Sequence, residues 1–199
     1  MRRVSLLAVA LAAAVSTTVW AHPHVFINDR MTVVFDNDRL KGIGFQWTFD
    51  DMFSSMILAD YNPNHTAVLT EAQNSAIKAG AFDNLVNYHY FVAFWVNGKP
   101  VKKFAIEQFK ASVADGRSLV YSFFVPLDVP VDPSQNTVFV TVYDDTYYVA
   151  FDILHTDAVT VKTDGDVDCA LGIQKTKIKA EWPGQYMPDQ LVITFKEKQ

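Results

Sequence analysis

The most constraining stretch of the chain is residues 40–49. Ile43, Phe45, Trp47 and Phe49 alternate with Gly44, Gln46 and Thr48. A period of two places four large apolar side chains on one face of an extended strand, and that face must be buried. The same reading extends the strand from Leu40 and places an earlier one at His24–Phe35, with Asp36-Asn37-Asp38 as the turn between them. Further strands are expected at Tyr88–Val96, Phe104–Val113, Ser118–Val125, Thr137–Tyr143, Tyr147–Leu154, Val159–Thr163 and Leu191–Phe195. Asn97-Gly98, Asp115-Gly116 and Asp164-Gly165 supply turn chemistry between them, and Pro126 closes the strand at Ser118. Thr137–Tyr143 and Tyr147–Leu154 read as a pair around Asp144-Asp145-Thr146. Many short strands with regular turn signals predict a mostly β protein, an immunoglobulin-like antiparallel β-sandwich.

One stretch breaks the period. Met52, Phe53, Met56 and Ile57 recur at helical spacing behind Asp50 and Asp51, either of which can cap a helix start. Thr70-Glu71-Ala72-Gln73 has the form of a capping box, and Gly80 is a helix stop, so a second helix is expected from Glu71 to about Ala79. A small two-helix insertion at about 51–80 follows.

Half of the residues are hydrophobic, enough for a single core. Cys169 is the sole cysteine, so no internal disulfide can staple the chain, and the thiol is expected as a buried small apolar residue. The formal net charge is −5 with no clustered basic stripe, which argues against nucleic-acid binding.

At the N-terminus, Met1-Arg2-Arg3, the apolar run Leu6–Val15 and Val19-Trp20-Ala21 have the layout of a secretory signal. The apolar run is too short to span a bilayer, and no later segment could do so. No Cys follows the cleavage point to carry a lipid anchor. The expectation is a signal peptide at 1–21 and one exported, periplasmic domain at 22–199, not embedded in a membrane. The mature chain would then begin at His22, with two imidazoles and a free α-amine inside His22-Pro23-His24. Alternation puts both rings on one face of a strand, about 7 Å apart at their origins, close enough to converge on one ion. Pro23 has no N–H to lose, so the square copper site built from deprotonated backbone nitrogens cannot form.

Other donors must come from elsewhere. His89 lies in the aromatic run, His155 at a strand end and His65 in a polar loop. Asp50 ends the second strand, and Asp144 and Asp145 sit at a turn. We take His22, His24, His89, Asp50 and Asp145 as the candidate metal ligands. A mixed imidazole and carboxylate set suits zinc, nickel or cobalt, and an imidazole-rich one admits copper. Asp60, Asn62, Asn64 and Glu71 fall at positions 1, 3, 5 and 12 of a calcium loop. His65 stands where that loop wants Gly, and two of the oxygens are neutral amides, so calcium is not expected. There is no nucleophile elbow, phosphate loop or paired-Cys motif, so the expectation is a protein that is not an enzyme.

His22-Pro-His-Val-Phe-Ile, Trp47-Thr-Phe-Asp-Asp-Met-Phe-Ser54 and Tyr143-Asp-Asp-Thr-Tyr-Tyr148 together resemble a bacterial family, the domain of unknown function numbered one thousand and seven. That family is described as the periplasmic component of an ABC-type transport system. Its members often occur beside nickel/cobalt-type metal transporters. The resemblance implies a metal-binding accessory or solute-binding component that works with an inner-membrane metal transporter. Two other readings stay open. One is a metal-free module that docks on a transporter. The other is a copper enzyme with the terminal histidine as a brace.

Overall fold

A computed structural model describes residues 23–132, 134, 137–153, 156–165, 167–176 and 187–195. Two sheets face each other across a shared core. The first contains β1 (Val25–Asp36), β2 (Arg39–Phe49), β5 (Glu107–Ala114), β6 (Ser118–Pro130), β8 (Val149–Ile153) and β9 (Val159–Thr163). Its order is β5-β6-β2-β1-β8, with β9 also on β1. The second contains β3 (Val92–Val96), β4 (Lys99–Pro100), β7 (Thr137–Val142), β10 (Cys169–Lys175) and β11 (Asp189–Phe195). Its order is β10-β11-β7-β3-β4. The protein is thus a mostly β sandwich, as the alternation predicts.

The inward face of β2 is the predicted one: Ile43, Phe45, Trp47 and Phe49 are all buried. Leu40 is buried as well, three positions before Ile43 rather than two. The register of β2 against β6 slips between Leu40 and Gly42, and that bulge turns both residues inward. Gly42 sits there with φ +154°, and a Cβ would run into the Val125 carbonyl oxygen and the Phe124 ring. Across the sandwich, Phe45 meets Phe94 edge-on at 6.3 Å and Phe35 meets Phe195 at 6.0 Å.

Several strands differ from their expected form. Pairing is antiparallel except at β1, which takes β8 in parallel along Val25–Asp29 and β9 in parallel along Met31–Phe35. β7 and β8 are not a hairpin, because they lie in different sheets. The turn at 143–148 therefore carries the chain across the end of the sandwich. β6 runs through Pro126 to Pro130. Beyond Phe124 it pairs with β2 alone, and such an edge tolerates proline. β10 has no counterpart among the expected strands; half-buried Cys169 begins it and packs against the core.

The helical region between β2 and β3 is longer than the expected 51–80. α1 (Asp51–Tyr61) and α2 (Glu71–Ile77) start where their caps predict. Asp50 Oδ1 accepts from the Phe53 N–H at 2.8 Å. Thr70 and Gln73 form the reciprocal capping box. Of the expected stripe on α1, Phe53 and Ile57 pack against the core beside buried Ser54 and Leu58, while Met52 is 65% and Met56 57% exposed. Gly80 does not stop α2. The helix widens into a π turn over 78–82, which brings Ile77 and Phe82, five residues apart, into the core. At Gly80 a Cβ would collide with the Tyr61 hydroxyl.

A 3-10 segment at Asp83–Phe91 follows, so His89 is not on a strand. His89, Tyr90 and Phe91 have φ of 50°, 50° and 55° in succession, a left-handed run that costs free energy without glycine. Aromatic packing offsets that cost. Tyr90 lies 5.2 Å from Phe82, and Phe91 lies 5.7 Å from Phe151.

Ser54 ties α1 to the sandwich. Its Oγ donates to the Phe49 carbonyl at 3.2 Å and accepts from the Leu119 N–H at 2.9 Å. Ser54→Ala leaves a buried N–H without a partner and should cost about 1–3 kcal/mol in urea unfolding. The exposed Ser55→Ala should cost less than about 0.5 kcal/mol.

Candidate functional site

The candidate site lies at one end of the sandwich, where β1 begins and β2 ends. Register pairing sets Ile27 against Phe49, so the chain just before β1 faces the chain just after β2. Asp50 clamps the two. Its N–H donates to the Phe26 carbonyl at 2.9 Å, and its Oδ2 accepts from the Phe26 N–H at 2.6 Å. With Oδ1 on Phe53, each oxygen of this predicted ligand is bonded to the backbone.

The parallel pairing of β1 with β8 brings in the turn at 143–148. His24 N–H donates to the Tyr148 carbonyl at 2.8 Å, and the two rings lie 5.0 Å apart. The turn is organised by Asp144, which is only 3% exposed. Its Oδ1 accepts from the Thr146 N–H at 2.9 Å and the Thr146 hydroxyl at 2.8 Å. Its Oδ2 accepts from the Tyr148 N–H at 3.0 Å and the Val149 N–H at 2.9 Å. Asp145, the next residue, is exposed.

Tyr143 N–H donates to the Phe91 carbonyl at 2.8 Å, which joins the turn to the end of the strained 3-10 segment. His89 and Asp145 consequently line one cleft of about 510 Å³, with Tyr143 and Lys102 in its wall. The structure thus places His24, His89, Asp50 and Asp145 at the same end of the sandwich. No three His, Cys, Asp or Glu side chains among the described residues come together as a ligand cluster. His22 and His155 lie outside the described residues.

The loop with calcium-like spacing is held by its own side chains. Asn62 Oδ1 accepts from the Thr66 N–H, the Thr66 hydroxyl and Gln73 Nε2, and its amide donates to the Thr66 carbonyl. Asn62 is buried as the hub of that loop, and His65 takes the left-handed conformation that the loop needs, φ 52°.

One residue of this region escaped the sequence reading. Asp29 is 1% exposed on the inward face of β1, and neither carboxyl oxygen has a hydrogen-bond partner. Burial pushes its carboxyl from the usual 3.8 up to about 8, against a smaller downward pull from Trp47. Trp47 is its register partner on β2. The indole N–H lies beside the carboxyl, yet forms no hydrogen bond of ordinary geometry. The signal was present in the alternation: Val25, Ile27, Met31, Val33 and Phe35 point inward, and Asp29 occupies the same face.

Residues 7–190 match the family described as protein of unknown function (DUF1007). The chain belongs to this family. It is also similar to an uncharacterized protein of Haemophilus influenzae, 31% identical over 160 residues, covering 80% of this chain and 74% of that protein. An uncharacterized 15.5 kDa protein from the trpE 3' region of Spirochaeta aurantia is 27% identical over 139 residues, 70% of this chain and 98% of its own length. The three motifs on which the resemblance rests are the β1 start, the β2–α1 junction and the 143–148 turn. They are far apart in sequence and meet at this end of the fold.

Two predictions follow from the buried acids. Asp144→Ala removes the acceptor of four hydrogen bonds and should cost about 2–4 kcal/mol in denaturant unfolding, whereas Asp145→Ala should cost under about 0.5 kcal/mol. Asp29 holds its proton in the folded state at pH values where the unfolded chain has released it. Its effect on stability is therefore neutral below about pH 4 and increasingly unfavourable as pH rises through about 8. Asp29→Asn should gain on the parent by a few kcal/mol between pH 5 and pH 8 in paired urea titrations. A constant difference between the two would show that the carboxyl does not titrate as described.

Proposed function

We propose that the protein is an exported, non-catalytic component of a metal transport system, binding a transition-metal ion in the periplasm and exchanging it with an inner-membrane transporter. The observation that carries this reading is the seam between the start of β1 and the turn at 143–148. His24 is bonded to the turn that presents Asp145, at the end of the sandwich that also holds His89. His22 precedes His24 by two residues and adds an imidazole and, after cleavage of the leader, an amine. Imidazoles with a carboxylate suit zinc, nickel, cobalt or copper. The described residues do not supply a complete ligand set, so the reading requires His22. Asp50 contributes as the clamp that holds the start of β1 against α1.

Intact mass and metal analysis of protein recovered from the periplasm test this directly. The expected result is a chain beginning at His22 that carries a transition metal. His22→Ala and His24→Ala should each lower affinity by about tenfold or more, at least the loss that follows removal of a group supporting a ligand. A Gly-Ser extension before His22 keeps both rings and turns the amine into an amide, and should weaken binding too. A metal-free chain whose affinity is indifferent to all three changes would overturn the reading.

A second reading, a metal-free module that docks on a transporter, draws on a separate observation. Phe26, Met52, Met56, Val86, Tyr88 and Tyr148 are large apolar side chains that are more than half exposed. All belong to segments that meet at this end of the fold, and exposed apolar patches mark interaction surfaces. Binding to transporter-containing vesicles after chelation would favour it over the first.

A further inference from the structure

Beneath the turn at 143–148 lies a second cavity, of about 360 Å³, within the size range of small-molecule sites. It is distinct from the cleft of His89 and Asp145, although Tyr88 and Phe91 belong to both walls. All three segments that carry the family resemblance build it. Val25 and Ile27 come from the first, Trp47, Phe49 and Phe53 from the second, and Asp144, Thr146 and Tyr148 from the third. Seven of its fourteen lining residues are aromatic.

The charge around the cavity has one sign. Among the described residues Asp144 is the only charged one in the lining, and no Lys, Arg or His contributes to it. Asp29 stands one layer further in, two residues along β1 from Ile27 and register-paired with Trp47, both of which form the wall. A buried carboxyl without a partner is expensive to ionise, and a cation held nearby removes that expense. Aromatic faces attract cations through the ring quadrupole, most strongly once water is excluded. Among the described residues an anion would meet two acids and no base. A bare metal ion would meet rings where it needs several oxygen or nitrogen donors.

We propose that this cavity binds a small organic ammonium ion, with Trp47, Tyr88, Phe91, Tyr121 and Tyr148 facing the cation, Asp144 supplying negative charge in the wall, and Asp29 supplying a second charge as the entering cation lets it release its proton to solvent. The site is separate from the described candidate metal donors, since none of His24, Asp50, His89 or Asp145 lines it.

Calorimetric titration of the mature chain with choline and with its uncharged isostere, the dimethylbutanol in which carbon replaces the quaternary nitrogen, tests the proposal. Choline is expected to bind about tenfold more tightly than the alcohol. Asp29→Asn should lower choline affinity severalfold and leave the alcohol unchanged. This variant removes an unpaired buried acid, so it should fold at least as well as the parent. Tyr148→Leu, at the half-exposed wall, should weaken choline more than the alcohol. Equal affinity for the two probes, no binding of choline at millimolar concentration, or an Asp29→Asn variant that binds choline as the parent does would each overturn it.

Discussion

The end of the sandwich depends on one carboxylate. Asp144 gathers four hydrogen bonds from Thr146, Tyr148 and Val149 at the point where the chain leaves β7 in one sheet and enters β8 in the other. A sheet-crossing corner breaks the ladder on both sides, so its N–H groups lose their strand partners and must find others. A buried acceptor with two oxygens meets that need without water. With the corner fixed, β8 can lie parallel to the start of β1, and that pairing draws His24 against Tyr148. Asp50 does the same work on the other side of β1, where it joins Phe26 to the first turn of α1. Two acids thus fix both flanks of the segment that begins with Pro23 and His24.

Against this frame, two features are costly. One is the left-handed run at His89–Phe91, and the other is the unpartnered carboxyl of Asp29. Both adjoin the aromatic cavity: Phe91 is in its wall, and Asp29 is paired in register with Trp47. Natural sequences agree with their folds at most positions and depart from them chiefly at functional sites. A segment held in an unfavourable conformation beside a buried acid without a counter-charge has the marks of a place shaped by binding rather than by stability. The described donors His24, His89 and Asp145 lie outside that cavity and are exposed. The same end of the fold therefore offers two neighbouring cavities rich in rings, one with His89, Lys102 and Asp145 in its wall, the other with Asp144.

The outer surface adds a third property. Met52 and Met56 would ordinarily face the core in a helix of this composition, but Ser54 and Leu58 take that position. The hydroxyl of Ser54 is needed there for Leu119 and Phe49, so the helix rotates to present it. The methionines are left exposed, near the start of β1 and the clamp at Asp50.

What the sequence by itself determined was local. The period of two in 40–49, the Asp50 and Thr70 caps, the helical break between strands and the three family-like segments could all be read from neighbouring residues. Such features depend on interactions within a few positions of the chain. What only the tertiary structure decided was partnership. That residues 137–142 and 149–153 belong to different sheets, that β1 takes parallel neighbours, and that the aromatic run at 83–91 coils rather than extends all follow from contacts between segments far apart in the chain. The same holds for the site. Asp144 looked like an ordinary turn residue and Asp29 like one polar residue in a strand, because burial depends on what packs against a side chain. A strand's period says which way Asp29 points; only the opposing sheet and Trp47 make that direction dry.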